Sequence, residues 1–411
     1  MEKYRDIMGR INYGLFLTAV FLLPFPQDLV RYACVAWIIS WFLEFRWLRK
    51  PQLRNQTWLI FVAFGLWYGW KLISGFWAPD KAAWSWQMTR YLAFIFMVPV
   101  GIWGVNERYD WRQAGSTLVR GCLVALPFYL GLMTALYLHP QWVSFFSPAE
   151  WDFTHPTWWT YFNGNISAIK HRLFLCSIEL FGAYIAFHVY RNRPWILVPA
   201  WMTMLFLILL TDSRQAVFMT IILAVIILLF ALPKYIRARF CGIIIVMAVI
   251  LAGMGLKMHP RMQQINMQTI SEMNNITYDH EARLNIWAIA LQQPEDYLPW
   301  GLGAGQSEIY LIDRYNEVGM DSYANMRFHA HSQYLEELME TGFVGLALLL
   351  LALIAMPAFA NGKGRQTGVI LITIFGLNMA VDCMFGLFCG IALWAVGMVF
   401  ISLLSPPLRA A

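Results

Sequence analysis

Charge is what this sequence has least of. Only 13% of its 411 residues are Asp, Glu, Lys or Arg, against about 25% in a soluble globular domain. That scarcity excludes an ordinary solvated surface around one or more soluble domains. Cysteine is also sparse: six residues (Cys34, Cys122, Cys176, Cys241, Cys383 and Cys389), none of them in either long polar connection. A disulfide framework and a thiolate metal cluster are therefore not expected. There is no short-period repeat and no low-complexity tract, which argues against a repeat array. No outer cluster of acidic residues forms a cage for a divalent cation, so no metal and no cofactor is expected.

Apolar residues dominate instead. They make up 59% of the chain, and the mean hydropathy is +0.52. A helical span needs about 20 mostly apolar residues to cross the hydrocarbon core. Such runs predict an all-α, polytopic transmembrane bundle of about twelve spans. They lie near 12–26, 29–45, 57–76, 86–105, 117–139, 168–189, 195–211, 215–232, 240–256, 332–357, 366–381 and 385–404. The chain thus divides into 1–256 with spans one to nine, a large loop at 257–331, and 332–411 with the last three spans. A shorter loop at 141–167 is rich in aromatics and proline. The stretch from Glu281 to Gln293 reads as an amphipathic surface helix inside the large loop.

Basic residues concentrate in alternate connections. Lys3, Arg5 and Arg10 precede the first span, Arg46, Arg49, Lys50 and Arg54 follow the second, and Arg108 and Arg112 follow the fourth. Arg191 and Arg193, then Lys234, Arg237 and Arg239, then Lys363 and Arg365, and finally Arg409 continue the pattern. By the positive-inside rule these connections and both termini are cytoplasmic, and the two long loops are on the outer face. The net charge of +6 is then a topology signal, and nucleic acid is not an expected partner. The first segment is basic and then apolar, as a signal sequence is, but it lacks a small-x-small cleavage site. It is expected to remain as a membrane anchor.

Three places carry residues suited to chemistry. His331 sits at the mouth of the tenth span, in His331-Ser332-Gln333-Tyr334-Leu335-Glu336-Glu337-Leu338. The positive end of a helix dipole disfavours imidazolium and keeps the ring able to accept a proton. The other reading is an interfacial histidine that packs or caps. Arg214 lies in the very short outer turn Thr211-Asp212-Ser213-Arg214-Gln215. A guanidinium there can grip a phosphate through two parallel hydrogen bonds, or snorkel and pair with Asp212. Arg283 lies on the loop helix, ahead of Gly301-Leu302-Gly303-Ala304-Gly305. It is either a second phosphate ligand or a solvated charge, and the glycines would let a backbone approach a ligand.

Together these residues resemble the O-antigen ligase and O-antigen polymerase superfamily. The ligase signature is His, a small polar residue, nine residues, Gly, two residues, Gly, and it matches at His331, Ser332, Gly342 and Gly345. The family's Arg in a short outer turn matches Arg214, and its second Arg ahead of the histidine matches Arg283. The resemblance implies a glycosyltransferase of the bacterial inner membrane with a periplasmic active site. It would move a glycan from undecaprenyl pyrophosphate to a sugar hydroxyl of lipid A–core, with membrane lipids around it. In that reading His331 is the general base and Arg214 and Arg283 hold the pyrophosphate, without metal. Two alternatives stand beside it. One is an O-antigen polymerase or protein O-oligosaccharyltransferase of the same superfamily; the latter usually carries more chain than the seven residues after Leu404. The other is a transporter of lipid-linked glycans, for which Lys71, Glu179 and Asp382 would be the charges within the spans.

Overall fold

The computed structural model describes residues 2–51, 56–140, 142, 157–231 and 282–406. The expected ninth span at 240–256, most of the shorter loop and the first part of the large loop lie outside the described residues. The helices are α1 (Glu2–Leu22), α2 (Gln27–Leu43), α3 (Trp58–Ile73), α4 (Lys81–Arg90), α5 (Leu92–Trp103), α6 (Trp111–Leu138), α7 (Trp158–Ile169) and α8 (Arg172–Tyr190). They continue as α9 (Pro194–Leu210), α10 (Arg214–Ala231), α11 (Ala282–Ala290), α12 (Ser307–Glu317), α13 (Asp321–Asn325), α14 (Gln333–Ala358), α15 (Gly362–Met379) and α16 (Phe388–Leu404). Four helices are long and apolar enough to cross a membrane: Trp58–Phe76, Trp111–Leu138, Arg172–Tyr190 and Gln333–Ala358. Three shorter apolar helices, Pro194–Leu210, Arg214–Phe230 and Phe388–Leu404, accompany them.

The helices pack as a bundle. α1 lies against α2 and α6, α3 against α5 and α14, α8 against α6 and α9, and α15 between α14 and α16. Burial follows aromatic mass: Trp37, Trp41, Trp67 and Trp394 are fully enclosed in one continuous core. α16 is buried on almost every side, from Cys389 to Leu404.

Two helices differ from the expected continuous spans. The interval 86–105 is broken at Tyr91 (φ −94°, ψ 4°) into α4 and α5. The buried Tyr91 ring packs 5.8 Å from Trp67 and 6.0 Å from Phe94, and the break lets α4 leave the line of α5. α4 has its own N-cap, Asp80, whose Oδ1 accepts from the N–H groups of Ala82 and Ala83 at 2.8 and 3.0 Å.

The second break is at Gly342 in α14, with φ 65° and ψ −159°. A side chain there would be strained in the left-handed region, and its Cβ would collide with the Pro299 carbonyl. The gap is filled by the loop after α11. Phe343 N–H donates to Pro299 O at 3.0 Å, Leu302 N–H to Met339 O at 2.8 Å and Gly303 N–H to Glu340 O at 2.8 Å. The first half of α14 therefore belongs to a small module with α11, α12 and α13. Its core is Ile286, Ile289, Leu311, Tyr315, Tyr323 and Met339.

The module is fastened to the bundle by polar groups. Trp77 Nε1 donates to Gly301 O at 3.0 Å, and Ala304 N–H donates to Ser74 Oγ at 2.9 Å. Beneath them lies a buried ion cluster. Lys71 Nζ is 3.0 Å from Glu337 and 2.8 Å from Glu340. Glu340 also accepts from Gln87 Nε2, Gly305 N–H and Ser307 Oγ, each at 2.9 Å. One carboxylate thereby joins α3, α4, α12 and α14. Gly301, Gly303 and Gly305 all have positive φ. What they approach closely is protein backbone, that of Glu340, Ala78 and Ala83 respectively.

Candidate active site

A polar cavity of about 900 Å³ opens between α4, the small module and the connection between α15 and α16. Trp86, Gln87 and Arg90 of α4 form one wall, and Glu308, Asp313 and Arg327 of the module form another. His171, His329, His331 and Asp382 form a third.

His331 lies immediately before the N-cap of α14, Ser332. The Ser332 hydroxyl donates to Met379 O at 3.4 Å, which ties the start of α14 to the end of α15. His331 itself adopts φ 46°. This is a left-handed conformation that few non-glycine residues take, and such positions cluster at functional sites. Its N–H donates to His329 Nδ1 at 3.2 Å, and the two rings lie 4.0 Å apart. Cys383 Sγ is 3.5 Å from the same His329 Nδ1. That nitrogen is an acceptor, so a neutral His329 carries its proton on Nε2. On the other side, Asp382 accepts from Cys383 N–H at 2.8 Å, and its second oxygen is 3.7 Å from His171 Nε2. The Nδ1 atoms of His171 and His331 are buried with no hydrogen-bond partner.

The electrostatics favour neutral rings. Burial pushes His331 from its ordinary value down to about 4, the neighbouring His329 adds to the shift, and Asp382 opposes it. His171 and His329 are lowered as well, first by burial, with Asp382 opposing and Arg283 contributing. Burial of the His331 ring thus acts in the same direction as the helix dipole expected from the sequence, disfavouring the imidazolium.

The three expected residues fare differently. His331 lines the cavity. Arg283 is exposed at the start of α11, and its charge bears on His171, His329 and His331, although it is not part of the cavity wall. Arg214 opens α10, half-buried, and is also outside the wall. Its turn is nevertheless anchored at the same end of the bundle. Thr211 Oγ1 is 3.2 Å from Cys176 Sγ, and Gln215 Nε2 donates to Leu377 O and Asn378 Oδ1 at 3.1 and 2.8 Å. Those partners lie near the ends of α8 and α15 that carry His171 and Asp382.

The charges weighed for a transporter also find their places. Lys71 is locked in the Glu337–Glu340 cluster, Glu179 is fully buried, and Asp382 faces His171. Sequence reasoning did not assign site roles to His171, His329, Asp382, Glu336 or Arg90. A signal for the first three was present: each lies at a span end assigned to the outer face.

Some of these donors are close enough to share a cation. One nitrogen each from His329 and His331 and an oxygen of Asp382 lie within 4.8 Å of one another, as do His329, Glu336 and Cys383. The sequence shows no such cluster, because Asp382 comes 51 positions after His331.

Helices of membrane length around a polar cavity, with imidazole, carboxylate and guanidinium groups at one end, define a membrane-embedded protein with an enzyme-like site. Residues 199–350 match the family model described as O-antigen ligase. The matched segment contains Arg214, Arg283, His331, Gly342 and Gly345. No curated protein matches the chain.

Proposed function

We propose that this protein is an O-antigen ligase that moves a glycan from undecaprenyl pyrophosphate to a sugar hydroxyl of lipid A–core. In this reading the chain crosses the inner membrane about twelve times with the cavity on the periplasmic side. The observation that carries the chemistry is the neutral, cavity-lining His331. A ring that stays unprotonated at neutral pH has a lone pair for the acceptor hydroxyl proton. As that oxygen bonds to the donor's anomeric carbon, the bond from that carbon to the pyrophosphate oxygen breaks. The electron pair leaves with the lipid pyrophosphate. Arg214 and Arg283, which border this end of the bundle outside the cavity wall, are assigned on the sequence pattern to the negative charge that develops there. Asp382 favours the protonated rings, which suits an imidazolium formed during transfer.

Gly342 and Gly345, the glycines of the signature, have structural work in this scheme. Gly342 breaks α14 so that its first turns, with His331 just ahead of them, belong to the small module. Gly345 leaves room for the Thr341 hydroxyl, which a Cβ would strike.

The test is transfer by the purified full chain, with an undecaprenyl-pyrophosphate glycan and lipid A–core as substrates. Product on lipid A–core supports ligation. Elongation of the donor glycan alone assigns a polymerase, and no transfer from any lipid-pyrophosphate donor sinks the proposal. For orientation, Asn316→Cys on the exposed surface of the module should react with an impermeant thiol reagent added from outside. Labelling only after permeabilisation reverses the assignment.

A further inference from the structure

The helices that carry the candidate active site at one end carry a second polar pocket at the other. α8 runs from Arg172, next to His171 at the cavity, to Tyr190, and α15 runs from Gly362 to Met379, three residues before Asp382. α8 has 19 residues, so at 1.5 Å per residue the two sites are about 28 Å apart. The second pocket, about 550 Å³, is lined by Trp111, Arg112, His188, Arg191, Arg193 and Lys363, with Asp110 as its carboxylate.

Its cations, Arg112, Arg191, Arg193 and Lys363, outnumber its one carboxylate. The Asp110 carboxylate caps α6, accepting from the N–H groups of Arg112 and Gln113 at 3.0 and 3.3 Å. Among the described residues, none of the four cations forms an ion pair. Arg112 and Lys363 instead lie over the Trp111 ring, at 5.5 and 5.0 Å from its centroid. The charges of Arg191 and Arg112 also bear on Lys363. Three helix N-termini open here, those of α6, α9 and α15, and each adds positive potential.

A second observation is independent of the charge. His188 is only 8% exposed, it lines this pocket, and neither of its ring nitrogens has a hydrogen-bond partner. Its protein neighbours are the Tyr184 and Phe187 rings, at 4.8 and 5.4 Å. Leaving a buried polar group unpaired costs about 1–3 kcal/mol. Scattered basic residues are enough to orient a membrane protein and need no such feature. Cations converging on a buried, unpaired imidazole at the end of apolar helices describe a place for an anion at headgroup depth. Basic pockets between membrane helices recognise acidic lipid headgroups in this way.

We propose that this pocket binds the phosphate of an anionic phospholipid headgroup, with Arg112, Arg191, Arg193 and Lys363 as its cations and His188 as a buried hydrogen-bond partner. The proposal stands on this pocket alone and does not depend on the transfer reaction.

The test compares the full chain with a variant carrying Arg112→Gln, Arg191→Gln and Lys363→Gln, in nanodiscs of phosphatidylcholine with or without phosphatidylglycerol. Native mass spectrometry reads the lipid retained, and thermal unfolding reads stabilisation. Retention of phosphatidylglycerol should be roughly a hundredfold weaker in the variant, since each cation near a lipid phosphate contributes about a factor of five. His188→Phe should also weaken retention. Both variants should unfold near the parent temperature in phosphatidylcholine, which separates lost binding from lost folding. Equal retention of phosphatidylglycerol by parent and variants overturns the proposal. So does stabilisation by inorganic phosphate with none from the lipid.

Discussion

Replacing His331 by Ala tests the proposed chemistry most directly. General-base catalysis contributes about 10²–10⁴-fold, which is roughly 3–5 kcal/mol at 1.36 kcal/mol per decade. The structure argues against a small loss, because the adjacent ring is a poor substitute. His329 uses Nδ1 to accept the His331 N–H, so its neutral form keeps a proton on Nε2 and offers no free lone pair there. We expect His331→Ala to lower transfer at least a hundredfold while donor binding persists. His329→Ala should be milder. The pH profile carries a second signature. With His331 lowered to about 4, the basic form predominates at every pH above that value. Transfer by the parent should therefore be nearly flat between pH 6 and 8 and fall only as the pH approaches about 4, whereas an unshifted imidazole would put that fall near 6.5. The linkage has the matching sign: a lowered imidazole leaves the unfolded chain with more protons below pH 6.5, so stability declines from there towards pH 4. The assay is transfer per folded molecule across pH, beside binding of the lipid pyrophosphate. Wild-type transfer by His331→Ala would refute the base assignment, and lost thermal stability with normal specific activity would make His331 a packing residue.

Other outcomes follow from the same geometry. Arg214→Lys and Arg283→Lys keep the charge but lose the planar fork, so each should lower transfer by about 10²–10³-fold; near-normal rates would make them anchors. Transfer should continue in excess EDTA, and abolition by EDTA with recovery on adding Mg²⁺ or Mn²⁺ would assign the His329, His331 and Asp382 donors to a cation instead. Lys71→Met leaves Glu337 and Glu340 without their buried cation, a change that typically costs about 3–5 kcal/mol. It should lower the unfolding temperature sharply, and an unchanged melt would mean the cluster is not what fastens the module.

The sequence by itself determined the solvent this protein folds in. Its low charge and long apolar runs demand helices that satisfy their own backbone hydrogen bonds in lipid, and that requirement is local enough to read from spacing. His331 was legible as a polar group next to an apolar run, and it lines the cavity; that Arg214 and Arg283 lie outside the cavity wall was not legible. What the spacing could not give was which span ends meet. His171 and Asp382 are 211 residues apart in the chain and come within 3.7 Å only because α8 and α15 pack in the bundle. The breaks at Tyr91 and Gly342 were hidden for a related reason. Both fall where a polar stretch meets an apolar one, Trp86–Arg90 before Leu92 and Glu336–Thr341 before Phe343, and what meets the chain there is tertiary: the backbone of the 299–303 loop entering α14 at Gly342, and the Tyr91 ring seated among Trp67 and Phe94. The neutrality of the histidines was decided at the same level, since it comes chiefly from burial among groups that lie far apart in the chain.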